Sequence, residues 1–482
     1  MDPLAPTSIK KIPPEILAHI FLILHDANRC LAIRELRCLN IPRKSLGYPN
    51  QPHTLSHVCS TWRRVALATS SLWSHIDIAI HHELNHQLLA RAKIYAQRAG
   101  SRALDIHLCD PGLEHQHSID ISPVEYGGPY EFEFLDAYRV SIKSLIFDIY
   151  ILKHVQNVHF AALEYFLAKC TVGTLTNYSM RVYGRPPILS IEAPEHPELN
   201  ITGHKLEELW RSVKTVQLHG LGPRWNSALY HGLVDLRLGP GTAKITEPQV
   251  INILKASPAL RVLHLKNCID IRTARRTSLA PVQLNNLEVL NIECFSLGPP
   301  LIGQRLDDGE IVRWIQPGVK PLRFAFFGQT TQKVVSFFER SNVTTFYTRG
   351  WEPLTLRGLL RTTSGLQTLI LNGFGCKISS FGAIVNPVSE EDSVTSPTSI
   401  RIDTIYLINF GGLKLGDIQG MIDQYSVRRL FLQNCYLADQ FSIEGKGTEF
   451  FEDIRAKLSK IKNCPIVESL CGADRINPDD WE

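Results

Sequence analysis

The feature that most constrains this chain is a short phrase, apolar-x-x-apolar-x-apolar, that keeps returning from residue 142 onward. Strong starts fall at Ile142, Val213, Leu233, Leu260, Leu287, Val319, Val343, Leu366, Ile402 and Val427, with weaker ones at Leu163, Pro186 and Val467. From Val213 on, the strong starts are 20 to 36 residues apart, mostly in the twenties. Such a phrase suits one short strand, whose fourth and sixth side chains point to one face and whose fifth points to the other. A unit this small buries its apolar face only by stacking on its neighbours, so the run predicts many similar units in a row. The fullest unit is Val427, Leu430, Leu432, Cys435 and Leu437; Leu260, Leu263, Leu265 and Cys268 fill most of another. Both cysteines read as small apolar fillers of a turn, not as reactive thiols or ligands. Between phrases, 247–255 and 332–340 read as helical returns, while 109–130, 296–309 and 386–399 read as loops.

The phrase and its spacing resemble leucine-rich repeats, and the resemblance implies an irregular solenoid over residues 142–472. An α/β sheet of another kind remains the alternative. Ahead of it, residues 81–141 read as a connection: a helix from Glu83 to Gln97 closed by Gly100, the alternating strand Leu104–Leu108, and a loop. Residues 473–482 form an acidic tail expected to fray.

Two segments near the start carry a second signal. In the first, Ile12-Pro13-Pro14-Glu15 suits the opening of a helix, because proline fixes φ and an acid complements the helix dipole. Ile16, Leu17, Ile20, Phe21 and Leu24 then form one apolar stripe. In the second, Leu55, Val58, Cys59, Trp62 and Ala66 follow helical spacing with Thr54 as a cap, and Leu72-Trp73 closes the segment. Helices this short must bury their faces on each other and on something else.

Together these elements resemble the F-box, most closely the form in basidiomycete fungal proteins, where "PPEIL…IF" and "SLWSHI" recur. The resemblance covers residues 9–80; it departs from the family in a long insertion, 28–53, and in Ser60, where a basic residue is usual. It implies an α/β chain with a small N-terminal helical F-box module followed by a leucine-rich-repeat-like solenoid. By the same resemblance, the module docks a Skp-type adaptor and, through it, a cullin–RING ubiquitin ligase, while the repeats hold a protein substrate. The residues matched for docking are Ile12, Pro13, Glu15, Ile16, Leu17, Ile20, Phe21, Leu55, Val58, Cys59, Trp62, Leu72 and Trp73, some of which must instead form the module's own interior. Two alternatives stay open: a repeat scaffold that binds the adaptor without ubiquitination, and a zinc hydrolase.

The hydrolase alternative rests on His82-Glu83-Leu84-Asn85-His86. On a helix this spacing puts two imidazoles one turn apart, with a carboxylate beside a metal-bound water. No third ligand follows at helical spacing, since Leu89 and Ala92 stand where one would help, so a charged helix start is the preferred reading. No phosphate loop, dinucleotide fingerprint or nucleophile elbow occurs, and no cofactor or catalytic residue is assigned. A net charge of +4 from 51 basic and 47 acidic residues gives no reason to expect nucleic acid. Eleven cysteines without a Cys-x-x-Cys pair suggest reduced thiols in the cytosol or nucleus, and no signal peptide or membrane span is expected.

Read down the phrases, position five gives Gln217, Arg237, His264, Asn291 and Arg323, then Tyr347, Ile370, Tyr406 and Phe431. The last four would make an exposed apolar ladder, the expected substrate surface. The alternative is that the chain covers the ladder itself, with residues 386–399 or the acidic tail.

Overall fold

The structure is a computed structural model. With short breaks it describes residues 12–27, 51–78, 85–110, 132–150, 156–183, 201–240, 244–266, 269–270, 280–293, 308–374, 380–385, 401–437, 466–469 and 476–481. The chain divides into two compact units, one running to Leu229 together with residues 241–243, the other made of Tyr230–Pro240 and Lys244–Glu482. Among the described residues no helix is long and apolar enough to cross a membrane.

The first unit opens with α1 (Pro14–Ala27), α2 (Gln51–His57), α3 (Ser60–Ala68) and a 3-10 turn, Ser70–Trp73. It continues as β1 (His75–Ile78), α4 (Asn85–Ala99), β2 (Leu104–Asp110), β3 (Ile142–Tyr150), α5 (Gln156–Lys169), β4 (Asn177–Tyr183), α6 (Gly203–Trp210) and β5 (Thr215–His219). The five strands are parallel and lie side by side in chain order. Parallel neighbours need a crossover, and crossovers of one hand put successive helices on one side of the sheet. Tyr178 of β4 accordingly packs on Trp210 of α6 at 4.8 Å, and Phe147 of β3 on Phe166 of α5 at 6.4 Å between ring centres.

The first unit departs from the sequence expectations in two places. The second apolar segment is not one helix capped by Thr54, which lies inside α2. The chain breaks at Val58–Cys59, and Arg63 Nε donates to the Ser56 carbonyl at 3.1 Å across the break. Cys59, in extended conformation, then caps α3, its Sγ accepting from the Trp62 amide at 3.5 Å. Parallel strands also begin well before residue 142, at His75, and the weak phrase at Leu163 falls in α5. The strand belonging to that stretch is β4, where Tyr178, Met180 and Val182 are the buried row.

The second unit repeats the pattern. Its elements are β6 (Asp235–Leu238), β7 (Ile245–Thr246), α7 (Glu247–Ala256), β8 (Val262–Lys266), β9 (Ile269–Asp270), β10 (Val282–Leu284), β11 (Val289–Glu293), β12 (Ile315–Pro317) and β13 (Leu322–Phe327). Then come α8 (Gln332–Glu339), β14 (Val343–Arg349), α9 (Pro353–Thr362), β15 (Thr368–Asn372), α10 (Ser380–Val385), β16 (Thr404–Ile408), α11 (Leu415–Tyr425), β17 (Arg429–Gln433) and β18 (Ile466–Ser469). The parallel order is β6-β8-β11-β13-β14-β15-β16-β17-β18, again the chain order, while β7 with β9 and β10 with β12 make two small side pairs. A mixed α/β architecture with parallel strands stacked in sequence order is that of a repeat solenoid.

The fourth and sixth positions of the phrases supply the core, as in Leu263, Leu265, Leu290, Ile292, Leu369, Leu371, Leu430 and Leu432. On this side α8 seats Phe337 against Phe324 at 5.1 Å and Phe338 against Phe346 at 4.9 Å. The phrase at Val319 is misplaced by two residues: Phe324, not Leu322, pairs with Leu290 and Phe346, so Ala325 takes the fifth position in place of Arg323. Val467 pairs with Leu430 and is a fourth position, not a first. At the strand ends, Asn434 Nδ2 donates to Asn409 Oδ1 at 3.0 Å and Asn409 Nδ2 to Asn372 Oδ1 at 3.3 Å, tying three successive units. Asn409 and Asn434 adopt positive φ, 56° and 50°, a conformation asparagine tolerates better than other non-glycine residues.

Candidate docking sites

The N-terminal helices sort the matched residues into two groups. Leu17, Phe21, Leu55, Leu72 and Trp73 are buried and make the interior. Phe21 lies 4.9 Å from half-buried Trp62; Trp73 Nε1 donates to the Ala66 carbonyl at 2.8 Å, and the Arg98 guanidinium sits 4.2 Å from the Trp73 ring. Pro13, Glu15, Ile16, Ile20, Val58 and Cys59 are exposed, and Ile12 is half-buried. The stripe on α1 is therefore two rows. Leu17, Phe21 and His25 face inward, while Ile16, Ile20, Ile23 and Leu24, at i, i+4, i+7 and i+8, face outward. Ile16 is 54% exposed and Ile23 55%. A single exposed isoleucine is ordinary, but four large apolar groups along one side of a helix form an unusual surface. Ile23, which the motif comparison passes over, completes this row.

Behind the helices lies a charged cluster that sequence reading missed. Asp77 of β1 is buried; its Oδ1 meets His75 Nε2 and His107 Nδ1, each at 3.1 Å, and its Oδ2 accepts from Arg91 Nη2 at 3.2 Å. Burial alone would raise the Asp77 carboxyl, but the charge of His75 and hydrogen bonds from His107 and His75 hold it well below the usual carboxylate range. The period-two alternation of His75-Ile76-Asp77-Ile78 beside Asp105-Ile106-His107-Leu108 was the available signal. Among the described residues these three side chains are the group able to share a metal ion. The guanidinium on the same carboxylate opposes a divalent cation there, so the cluster is a hydrogen-bonded ion network. Of the separate His-Glu-x-x-His motif, His82 and Glu83 lie outside the described residues, and His86 is exposed on α4.

On the second unit the fifth positions do form one ladder. Arg237, His264, Asn291, Ala325, Tyr347, Ile370, Tyr406 and Phe431 pair in that order across eight strands. Gln217 pairs instead with Ser179 in the first unit. Exposure of the apolar half is overturned: Tyr347 is 4% exposed, Ile370 2% and Phe431 8%, with Tyr406 half-buried. At Tyr347 and Ile370 the reason is that the chain covers the ladder, while Phe431 is stacked under the Tyr406 ring at 4.5 Å. Ile476 and Trp481 pack with Tyr406 on the cluster Ala325, Phe327, Tyr347, Ile370 and Ile408. The acidic tail is thus a docked segment from Ile476 to Trp481, not a frayed end. Residues 386–399 lie outside the described residues.

Cys435 is buried as expected, its thiol directed at the Leu407 carbonyl at 3.1 Å; Cys268 lies outside the described residues. Burial pushes the Cys435 thiol up to about 11 and that of Cys170 up to about 12. Since thiolate is the nucleophile, alkylation at pH 8 should mark exposed Cys59 in the native protein. It should reach Cys435 slower by roughly two orders of magnitude and Cys170 slower by roughly three, as read by site-resolved mass spectrometry.

No protein-family model matches the sequence, and no curated protein matches it. Among solved structures the chain is similar to the crystal structure of the Rad7 and Elc1 complex in yeast, at 12% identity and a TM-score of 0.36, covering 91% of either chain. A likeness at that level fixes neither an activity nor a partner.

Proposed function

We propose that the chain is the substrate-recognition subunit of a Skp–cullin–F-box ubiquitin ligase, acting without catalysis of its own in the cytosol or nucleus. The observation that carries this reading is the outer row of α1. Ile16, Ile20, Ile23 and Leu24 are exposed while Leu17, Phe21, Leu72 and Trp73 already fill the interior, so the row is surplus to folding. It begins at the residues where the F-box resemblance places adaptor contacts. A flat apolar helix face beside short helices suits a helical adaptor, and the repeat unit supplies a second surface for a protein client.

Changing Ile16, Ile20 and Ile23 together to Ser should leave the melting temperature within a few degrees of wild type, because the removed groups are solvent-facing. Capture of a Skp-type adaptor should fall by at least roughly a hundredfold, since anchor residues at interfaces contribute about 2 kcal/mol or more each. Undiminished capture by the folded variant would sink the reading.

A further inference from the structure

The segment Ile476–Trp481 is held on the second unit as a ligand is held. Asn477 Oδ1 accepts from the Asp479 amide at 3.2 Å, closing a 3-10 turn over Pro478–Asp480. Arg237 grips the backbone with both ends of its fork: Nη1 donates to the Asp479 carbonyl at 2.9 Å and Nη2 to the Trp481 carbonyl at 3.2 Å. The Asp479 carboxylate pairs with Lys266, and its Oδ1 accepts from Asn291 Nδ2 at 3.1 Å. Trp481 lies 5.9 Å from the Arg323 guanidinium and rests on the apolar cluster around Tyr347 and Ile370. Four neighbouring strands thus read two carbonyls, one carboxylate and one aromatic ring.

The groups that read the segment do not depend on it. Arg237 also pairs with Asp235 at 2.9 Å, and Lys266 with Glu293 at 3.6 Å. With the segment gone, neither cation is left in a buried site without a carboxylate, the situation that makes most buried pairs costly to break. His264, beside Arg237 in the ladder, has its pKa lowered to about 3 by burial and by Arg237, so it is neutral at physiological pH and adds no charge. The apolar half behaves differently: without Trp481 and Ile476, the shelf of Phe327, Tyr347 and Ile370 would face water. A surface that keeps its charges balanced but exposes apolar area when empty is suited to exchange one occupant for another.

We propose that this face of the second unit is a peptide-recognition site for a segment with an acidic residue two positions before an aromatic one. In this proposal residues 476–481 occupy it in cis, and a protein partner carrying the same chemistry gains it by displacing them. The inference rests on the client-binding role proposed above and names the chemistry of the client. A competing segment on the same chain scales down the affinity for an outside peptide by the fraction of molecules in which the site is open.

The probe is a fluorescent peptide with the sequence of residues 476–482, titrated into full-length protein by anisotropy. Full-length Asp479→Ala/Trp481→Ala should bind it at least tenfold more tightly than wild type. Adding Lys266→Ala and Arg237→Ala should abolish that gain, and a probe with its tryptophan replaced by alanine should not bind. Because the tail variant could unfold, wild-type protein is also followed by hydrogen exchange. There saturating peptide should deprotect residues 476–481 while the strands stay protected. No binding by a folded tail variant, or unchanged protection of 476–481 under saturating peptide, overturns the proposal. Adaptor capture measured on the same samples separates the two readings: peptide binding lost with the adaptor retained removes the recognition site alone, and the converse removes the ligase role alone.

Discussion

Replacing Asp77 with Ala is expected to destabilise the first unit by about 3–5 kcal/mol, the usual cost of removing one partner from a buried charged cluster. Three donors converge on that carboxylate, from His75, His107 and Arg91, and all four side chains are largely withdrawn from water. Without it the Arg91 guanidinium loses a carboxylate at 3.2 Å, and each imidazole loses an acceptor at 3.1 Å. Urea midpoints for the first unit check the magnitude; a shift worth under about 1 kcal/mol would mean the cluster contributes no more than a surface pair.

The same site sets a pH dependence. The Asp77 carboxyl is held below its ordinary range in the folded state, so the unfolded state binds its proton more readily. The stability it contributes is therefore fully present above about pH 4, the ordinary aspartate range, and is lost as pH falls below it. Asp77→Asn keeps the shape but not the charge. The stability difference between wild type and that variant should be present in full above about pH 4 and should shrink steadily between pH 4 and pH 2. A difference independent of pH would show that charge is not what the cluster contributes.

Much of the repeat architecture was legible because period-two patterning fixes which side chains share a face. Tyr347, Ile370, Tyr406 and Phe431 do form one ladder, as their phrase positions require. What failed was long-range or local. The cover over the ladder comes from a six-residue piece that reads as polar and frayed, and Arg237 meets Asp479 across 242 positions of sequence, a distance that no local pattern spans. The shift at Val319 arose because Leu322 and Phe324 both fit an apolar position, and only pairing with Leu290 decides between them. The break between α2 and α3 was hidden because Leu55, Val58 and Trp62 keep helical spacing across it, while the contacts at the break are a cap from the Cys59 thiol and a side-chain bond from Arg63 to the Ser56 carbonyl. Within the F-box-like helices, the motif could not tell inner from outer rows, since both are apolar and adjacent on α1.

Trp73 is where that sorting is most exposed to test. The motif resemblance places it with the docking residues, yet it is fully buried. Its ring lies edge-on to Tyr95 at 5.1 Å, beneath the Arg98 guanidinium, and its Nε1 proton goes to the Ala66 carbonyl. Truncating a tryptophan in such a site removes its transfer energy and leaves a cavity, so Trp73→Ala should cost about 3–5 kcal/mol. Trp73→Phe should cost less, since it keeps a ring and loses only the indole hydrogen bond to the Ala66 carbonyl, which still accepts from the Thr69 amide at 3.3 Å. Denaturation midpoints of Trp73→Ala, Trp73→Phe and Ile20→Ser, measured beside adaptor capture at low temperature, separate the roles. The tryptophan variants should lose stability and keep capture wherever they remain folded, whereas Ile20→Ser should keep stability and lose capture. A Trp73→Ala protein as stable as wild type but unable to capture the adaptor would place Trp73 on the docking surface and undo the division of α1 and its neighbours into interior and exterior rows.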